Sequence, residues 1–234
     1  THLDLRKLHI DRSMALEIIR IGVPAGLQGM AFSLSNVVVQ SSINSFGSSV
    51  IVAGNSASNN IENFVYIGMS AFTQACITFT SQNVGAKNLR RVKSIFNHSM
   101  VLTTLSAMLM GFLVWFFGEF LLSFYTNDPA VVEAGMLRLF WVSMFLFLNG
   151  VLDVFVSSMR GMGYSSLPTI VMLAGICGVR LIWLLLIFPL HRTLVTIYLC
   201  FPLSWTITSI VLGFIWLYCY RHMMRTNGEK AEAN

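Results

Sequence analysis

Two acidic side chains lie inside apolar stretches of this sequence, and their chemistry sets the question. Asp153 sits within residues 149–163 (NGVLDVFVSSMRGMG), an apolar run that breaks at Arg160-Gly161-Met162-Gly163. A carboxylate in hydrocarbon is costly, so one that persists faces a protein interior or a wet cavity, where a cation, a proton or a hydrogen-bond donor meets it. Asn149 and Ser157 stand one turn to either side on the same helical face. Together with Asp153 they put three oxygen-bearing side chains on one face. The competing reading is a carboxylate near the membrane surface that only pairs with Arg160, about two turns along.

Glu62 is the second such acid. Ser58, Glu62 and Tyr66 are spaced by four and share a face, with Asn55 and Asn59 beside it. A polar stripe of this kind lines an aqueous cavity or ion site, or it marks a polar helix end near the outer surface; the spacing leaves both open. Arg180 lies deep within a later apolar run. A cation there must pair or reach toward an interface, so it is a candidate structural partner for a buried carboxylate.

Nothing else in the chain supplies catalytic chemistry. The five histidines, His2, His9, His98, His191 and His222, fall at or near the ends of apolar runs, and no nucleophile-base or zinc-type motif occurs. Cys76, Cys177, Cys200 and Cys219 lie within apolar runs at no metal-ligand spacing and read as packing residues. The sequence therefore predicts neither an enzyme nor a bound cofactor.

The elements that position these residues are membrane spans. Hydrophobic residues make up 55% and charged residues only 11% of the 234, against roughly 25% charged in an average soluble domain. Mean hydropathy is +0.70. Residues 21–61, 63–86, 94–118, 161–179 and 193–220 contain no Asp, Glu, Lys or Arg. Runs of that length match the roughly 20 residues that cross a bilayer. Punctuation by Gly, Pro and charge predicts six helices, over about 17–43, 51–82, 94–117, 130–159, 166–188 and 195–220. The small residues Gly22, Gly26 and Gly29 of the first predict close helix packing.

The net charge of +5 does not point to nucleic acid, because the cations cluster in short connections instead of along a face with aromatics. Residues 1–20 carry Arg6, Lys7, Arg12 and Arg20, and the connection at 83–93 carries Lys87, Arg90, Arg91 and Lys93. Arg160, Arg221, Arg225 and Lys230 follow at alternate ends, against Arg192 alone in the opposite loops. By the positive-inside rule both termini are cytoplasmic. The expected organisation is an amphipathic interfacial segment (1–20), an all-α six-helix membrane lobe (21–221) and a disordered polar tail (222–234).

With those residues laid out, the chain resembles the multidrug and toxic compound extrusion (MATE) transporters. The resemblance rests on residues 22–28 (GVPAGLQ), 36–46 (NVVVQSSINSF), 81–87 (SQNVGAK) and 125–129, together with Asp153 to Gly163, Pro168 and 178–181 (GVRL). It implies the second six-helix lobe of a twelve-helix cell-membrane antiporter, with a cavity between two lobes related by a pseudo-twofold axis. It implies export of organic, often cationic, compounds against Na⁺ or H⁺. The missing partner would be an N-terminal six-helix lobe. Asp153 aligns with a cation-coupling Asp of NorM-type members. Their acid in the first helix of this lobe is replaced here by Met30-Ala31-Phe32-Ser33, and Glu62 is the available substitute. Within the same superfamily, a flippase for lipid-linked saccharides is the alternative, and it would use cavity cations such as Arg138 and Arg180.

Overall fold

The computed structural model describes residues 12–232, leaving out the side chains of residues 17, 20, 21, 24, 25 and 227–232. Of the expected amphipathic segment (1–20), residues 1–11 lie outside the described residues, and 12–20 continue directly into the first helix. All regular structure among the described residues is helical. Six long helical segments run α1 (Arg12–Asn44), α2 (Ser49–Gly85), α3 (Leu89–Phe116), the broken pair α5 (Pro129–Arg138) and α6 (Leu146–Gly161), the broken pair α7 (Ser166–Met172) and α8 (Val179–Leu186), and α9 (Leu194–Glu232). A short α4 (Gly118–Ser123) lies in the connection after α3. The last helix thus continues past its expected end at Tyr220.

Four segments are long and apolar enough to cross a membrane: Leu89–Phe116, Pro129–Gly161, Ser166–Leu186 and Leu194–Thr226. The segments α1 and α2 are long enough too, at 33 and 37 residues, but Asn, Gln and Ser dilute their apolar character. That dilution marks the wall of a cavity. Large apolar side chains elsewhere face outward, among them Leu34, Phe64, Leu105, Leu185 and Phe214. A helical bundle whose backbone groups are satisfied internally can present such a surface only to lipid. Inside, Phe96 stacks on Trp216 at 4.0 Å, and the Trp216 indole N–H donates to Ser158 Oγ at 2.9 Å. These contacts tie α3, α6 and α9 together.

The fourth and fifth spans differ from the uninterrupted helices expected. Asp128 caps α5, its carboxylate accepting from the Ala130 N–H at 3.0 Å, and Pro129 opens the first turn. After one more turn the span widens into a π-helix over Leu139–Ser143 before α6 begins. The wide turn pushes the Ser143 carbonyl against α3 at Gly111, where any Cβ would collide with it. A second π-helix, Leu173–Gly178, separates α7 from α8. π-Bulges of this kind accompany functional sites and shift the facing of everything that follows. Neither break carries a Pro, so periodicity does not announce it.

Close approach also occurs where α2 meets α5. A Cβ on Gly54 would lie 2.6 Å from the Val131 carbonyl and 2.8 Å from the Gly135 nitrogen. Ser58 Oγ then donates to the Gly135 carbonyl at 2.9 Å. The glycines singled out on α1 behave otherwise: nothing lies within 4 Å of a Cβ placed on Gly22, Gly26 or Gly29. These glycines therefore do not mark close helix contacts among the described residues, and Gly29 stands at the cavity wall.

Replacing Gly111 by Val should lower stability by about 1–3 kcal/mol through overpacking against the π-turn carbonyl, read as a fall in the apparent melting temperature of the purified protein. Gly68→Ala, where nothing lies within 4 Å, should be neutral or slightly stabilising. Equal effects at the two positions would refute the packing account.

Candidate functional site

The bundle encloses a cavity of about 530 Å³ walled by α1, α2, the broken fourth and fifth spans and α9. The structure brings Glu62, Asn59, Tyr66, Asn149, Asp153 and Arg180 to its surface together. Ser157 is the exception and is buried outside it. One turn beyond, a Cβ on Gly161 would lie 2.6 Å from Thr80 Cβ. That face of span four therefore packs onto α2, and Ser157 is buried on it, while Arg160 still reaches the cavity wall.

Glu62 is not a free acid. Arg138 grips it through two parallel bonds, Nε to Oε1 at 3.1 Å and Nη2 to Oε2 at 2.7 Å. The same guanidinium donates from Nη1 to Asn55 Oδ1 at 2.6 Å and from Nη2 to Asn59 Oδ1 at 3.0 Å. Asn55 passes the network on, its amide donating to Gln40 Oε1 at 2.9 Å. Glu62 and Arg138 are only 7% and 4% exposed, so each is the other's counter-ion. The polar stripe on α2 thus faces a cavity, not the outer surface. Its acid, proposed above as a substitute for the one missing from the first helix, is held by the last residue before the π-helix breaks the fourth span.

Arg180 does not take the role expected of it. The buried carboxylate is paired by Arg138, while Arg180 donates from Nε to Ser204 Oγ at 3.2 Å and from Nη1 to Asn36 Oδ1 at 3.4 Å. Its guanidinium carbon lies 4.3 Å from the Phe201 ring centroid and 5.9 Å from that of Trp205. The shift introduced by the π-helix at 173–178 turns it toward α9.

Asp153 stands apart from both networks. Among the described residues it accepts no hydrogen bond and forms no ion pair, the pair Arg138–Glu62 being the one present. Arg160 is the cation whose field reaches it, but its guanidinium reaches instead to Gln28 Oε1 at 2.5 Å. Thr169 Oγ1 also donates to Gln28 Oε1, at 3.4 Å. These bonds knit spans one, four and five at the cavity wall. The reading of Asp153 as a mere partner of Arg160 therefore does not describe the geometry. What the site offers is a carboxylate facing open space, with Asn149 one turn above it and Tyr66 across from it. Among the described residues no three His, Cys, Asp or Glu side chains converge to hold a metal. A hard monovalent cation at Asp153 would draw its other oxygens from neutral donors such as Asn149.

Several wall residues escaped the sequence reading. Phe201 and Trp205 of α9 lie in a run without charge, and Gln28 and Gln40 carry no charge to draw attention. Their signal, visible only with the pattern of α1 and α9 together, is a polar or aromatic residue recurring on one face.

The family model MatE matches residues 24–186, more than half of the chain. The chain belongs to the MatE family. Members are transporters and not enzymes. MatE relatives include the probable multidrug resistance protein YpnP of Bacillus subtilis, 27% identical over 146 residues, or 62% of this chain and 33% of that protein. The probable multidrug resistance protein NorM of Listeria monocytogenes is 30% identical over 145 residues, 62% of this chain and 32% of that protein. Among solved structures, a MOP superfamily transporter from Pyrococcus furiosus aligns with a TM-score of 0.84 at 14% identity, over 95% of this chain and 50% of that one. A multidrug resistance MATE family transporter in its outward-facing conformation aligns with a TM-score of 0.81 at 14% identity, over the same shares. The fold is therefore that of one six-helix MatE lobe. The alignments span about a third of the length of these curated relatives and half that of the solved transporters.

The Glu62–Arg138 pair makes a sharp energetic prediction. Arg138→Met leaves a buried, unpaired carboxylate and should destabilise the protein by about 3–5 kcal/mol, whereas adding Glu62→Leu should restore most of that loss. A double-mutant cycle on thermal unfolding measures it, and additive effects of the two substitutions would show that the pair is not the contact that matters.

Proposed function

We propose that this chain forms one lobe of a cation-coupled antiporter that exports organic compounds by alternating access. A six-helix N-terminal lobe completes its cavity. The assembly would sit in the cell membrane with both ends of this chain cytoplasmic, in keeping with the distribution of Lys and Arg. The observation that carries the reading is the contrast between the two acids: Glu62 is locked to Arg138, while Asp153 faces the cavity without a bonded partner. One carboxylate is thereby left to exchange its counter-ion.

The coupling follows from that single charge. With Asp153 ionised, the cavity attracts the amine of a substrate. Protonation of Asp153, or Na⁺ held by its carboxylate and neutral oxygens such as Asn149, removes the attraction and expels the amine. Because ion and substrate compete for one group, each favours a different orientation of the lobe in proportion to its differential affinity for the two. Net export then needs an inward ion gradient, each ion that enters down its gradient driving one substrate out. Cationic substrates were the expectation from resemblance, and an amine at Asp153 keeps that element of it. The support from relatives is that they are probable multidrug resistance proteins.

The test is efflux of fluorescent aromatic amines, ethidium included, from vesicles carrying the intact protein in which this sequence occurs, under imposed Na⁺ and pH gradients. Asp153→Asn should abolish gradient-driven efflux while the protein still elutes as a folded, monodisperse species. Efflux at the wild-type rate in that variant would make Asp153 structural and defeat the proposal.

A further inference from the structure

The ionised side chains on the cavity wall do not balance. They are Glu62 and Asp153 on one side, and Arg138, Arg160 and Arg180 on the other. Glu62 and Arg138 cancel by direct contact, Arg160 stands in the last turn of its span bonded to Gln28, and Asp153 is the acid that the coupling ion or a substrate amine neutralises. Arg180 remains, with no acidic neighbour bonded to it among the described residues and only 3% of its surface exposed.

Its local partners do not neutralise it. Of its five N–H donors, Nε goes to a neutral hydroxyl, Ser204 Oγ, and one Nη1 hydrogen makes a long bond to a neutral amide, Asn36 Oδ1. The Phe201 and Trp205 rings stack near its plane and soften the charge without cancelling it. A cation in the membrane interior calls for an anion, and a planar guanidinium with free edges is shaped for a carboxylate. The fold has built this position deliberately. The π-helix at 173–178 turns Arg180 to the cavity, and Gly175 comes so close to Thr208 that a side chain there would force α9 away. That contact brings Ser204, Phe201 and Trp205 within reach of the guanidinium.

We propose that Arg180, held in place by Ser204, forms an oxyanion subsite of the transport cavity, which receives the carboxylate of an organic substrate whose aromatic body lies along Phe201 and Trp205. This rests on the transport reading above and narrows its substrate class. The substrate is a zwitterion, with its amine at Asp153, where it competes with the coupling ion, and its carboxylate at Arg180. A purely cationic compound meets an unpaired Arg180 and is held less tightly.

The experiment compares 4-(aminomethyl)naphthalene-1-carboxylate with its methyl ester, which keeps the amine and ring and lacks the anion. Binding of each to the purified intact protein is measured by titration calorimetry in lipid nanodiscs. The carboxylate should bind at least about 30-fold more tightly than the ester, as expected when one partner of a buried charge pair is removed. Arg180→Gln should bring the two within about threefold, and Arg180→Lys should restore part of the preference. Asn36→Asp keeps Arg180 and supplies it with an internal carboxylate, so it too should erase the preference, and it serves if the Gln variant fails to fold. Equal binding of the two probes by the unaltered protein overturns the subsite, as does undetectable binding of the carboxylate or a preference that survives in a folded Arg180→Gln or Asn36→Asp protein. Asp153-dependent efflux that persists alongside such a result leaves the transport reading standing. Loss of that efflux with an intact carboxylate preference overturns the coupling role of Asp153 and spares the subsite.

Discussion

Arg138 has to be placed correctly before anything else in this cavity has meaning. A guanidinium and a carboxylate each carry a heavy desolvation penalty in the membrane interior, and only tight, multiply bonded geometry offsets it. Here Arg138 supplies two bonds to Glu62 and one each to Asn55 and Asn59. The stretch from Asn55 to Glu62 covers two turns of α2 on one face, so a single side chain from the fourth span fixes both the rotation and the height of α2. The Gly54 and Gly135 contacts allow the approach, and Ser58 completes it. Binding, coupling and charge balance in the cavity all follow from which acid this pair consumes.

The fourth span then divides its labour at the π-helix. Above the break, α5 is held rigidly by the ion-pair network; below it, α6 carries Asp153 into open space and ends at Arg160, which is bonded to Gln28. The fifth span repeats the device, with its π-helix preceding Arg180. The cavity-facing charges that lack a bonded counter-charge, Asp153, Arg160 and Arg180, thus all follow a π-break in their spans. Such breaks let a helix present a polar group on a face that regular 3.6-residue periodicity would turn toward neighbours or lipid. They also supply wide, deformable turns where a lobe that rocks between two orientations can bend.

Much of this was legible in the residues alone, and the limits are instructive. Long runs without charge announce membrane helices, and the lysines and arginines of residues 83–93 mark the clearest turn. The spacing of Ser58, Glu62 and Tyr66 put them on one face, and α2 does line the cavity with Glu62 and Tyr66. Which cation meets which acid was not legible: Arg138 and Arg180 are both lone arginines in apolar surroundings, and choosing between them needs the helix rotation that the π-breaks alter. The first break has no sequence marker, since Leu139–Ser143 and the residues after it contain neither Pro nor Gly until Gly150, and the second carries only Gly175 and Gly178, with no Pro. The glycines of α1 misled because small residues predict closeness without saying to what. Ser157 misled because a helical face shared with Asp153 does not show which of its residues the cavity reaches.

The central claim is that Asp153, and not Glu62, is the carboxyl group whose charge state changes during the cycle. Infrared difference spectroscopy on the intact protein reports it directly, through the carboxyl-stretch region as the bathing solution is stepped between low and high Na⁺ or H⁺. The account predicts a carboxyl difference band that disappears in Asp153→Asn and survives in Glu62→Gln. A band that survives in the Asp153 variant and vanishes in the Glu62 variant would contradict it, because the acid bound by Arg138 would then be the one that exchanges.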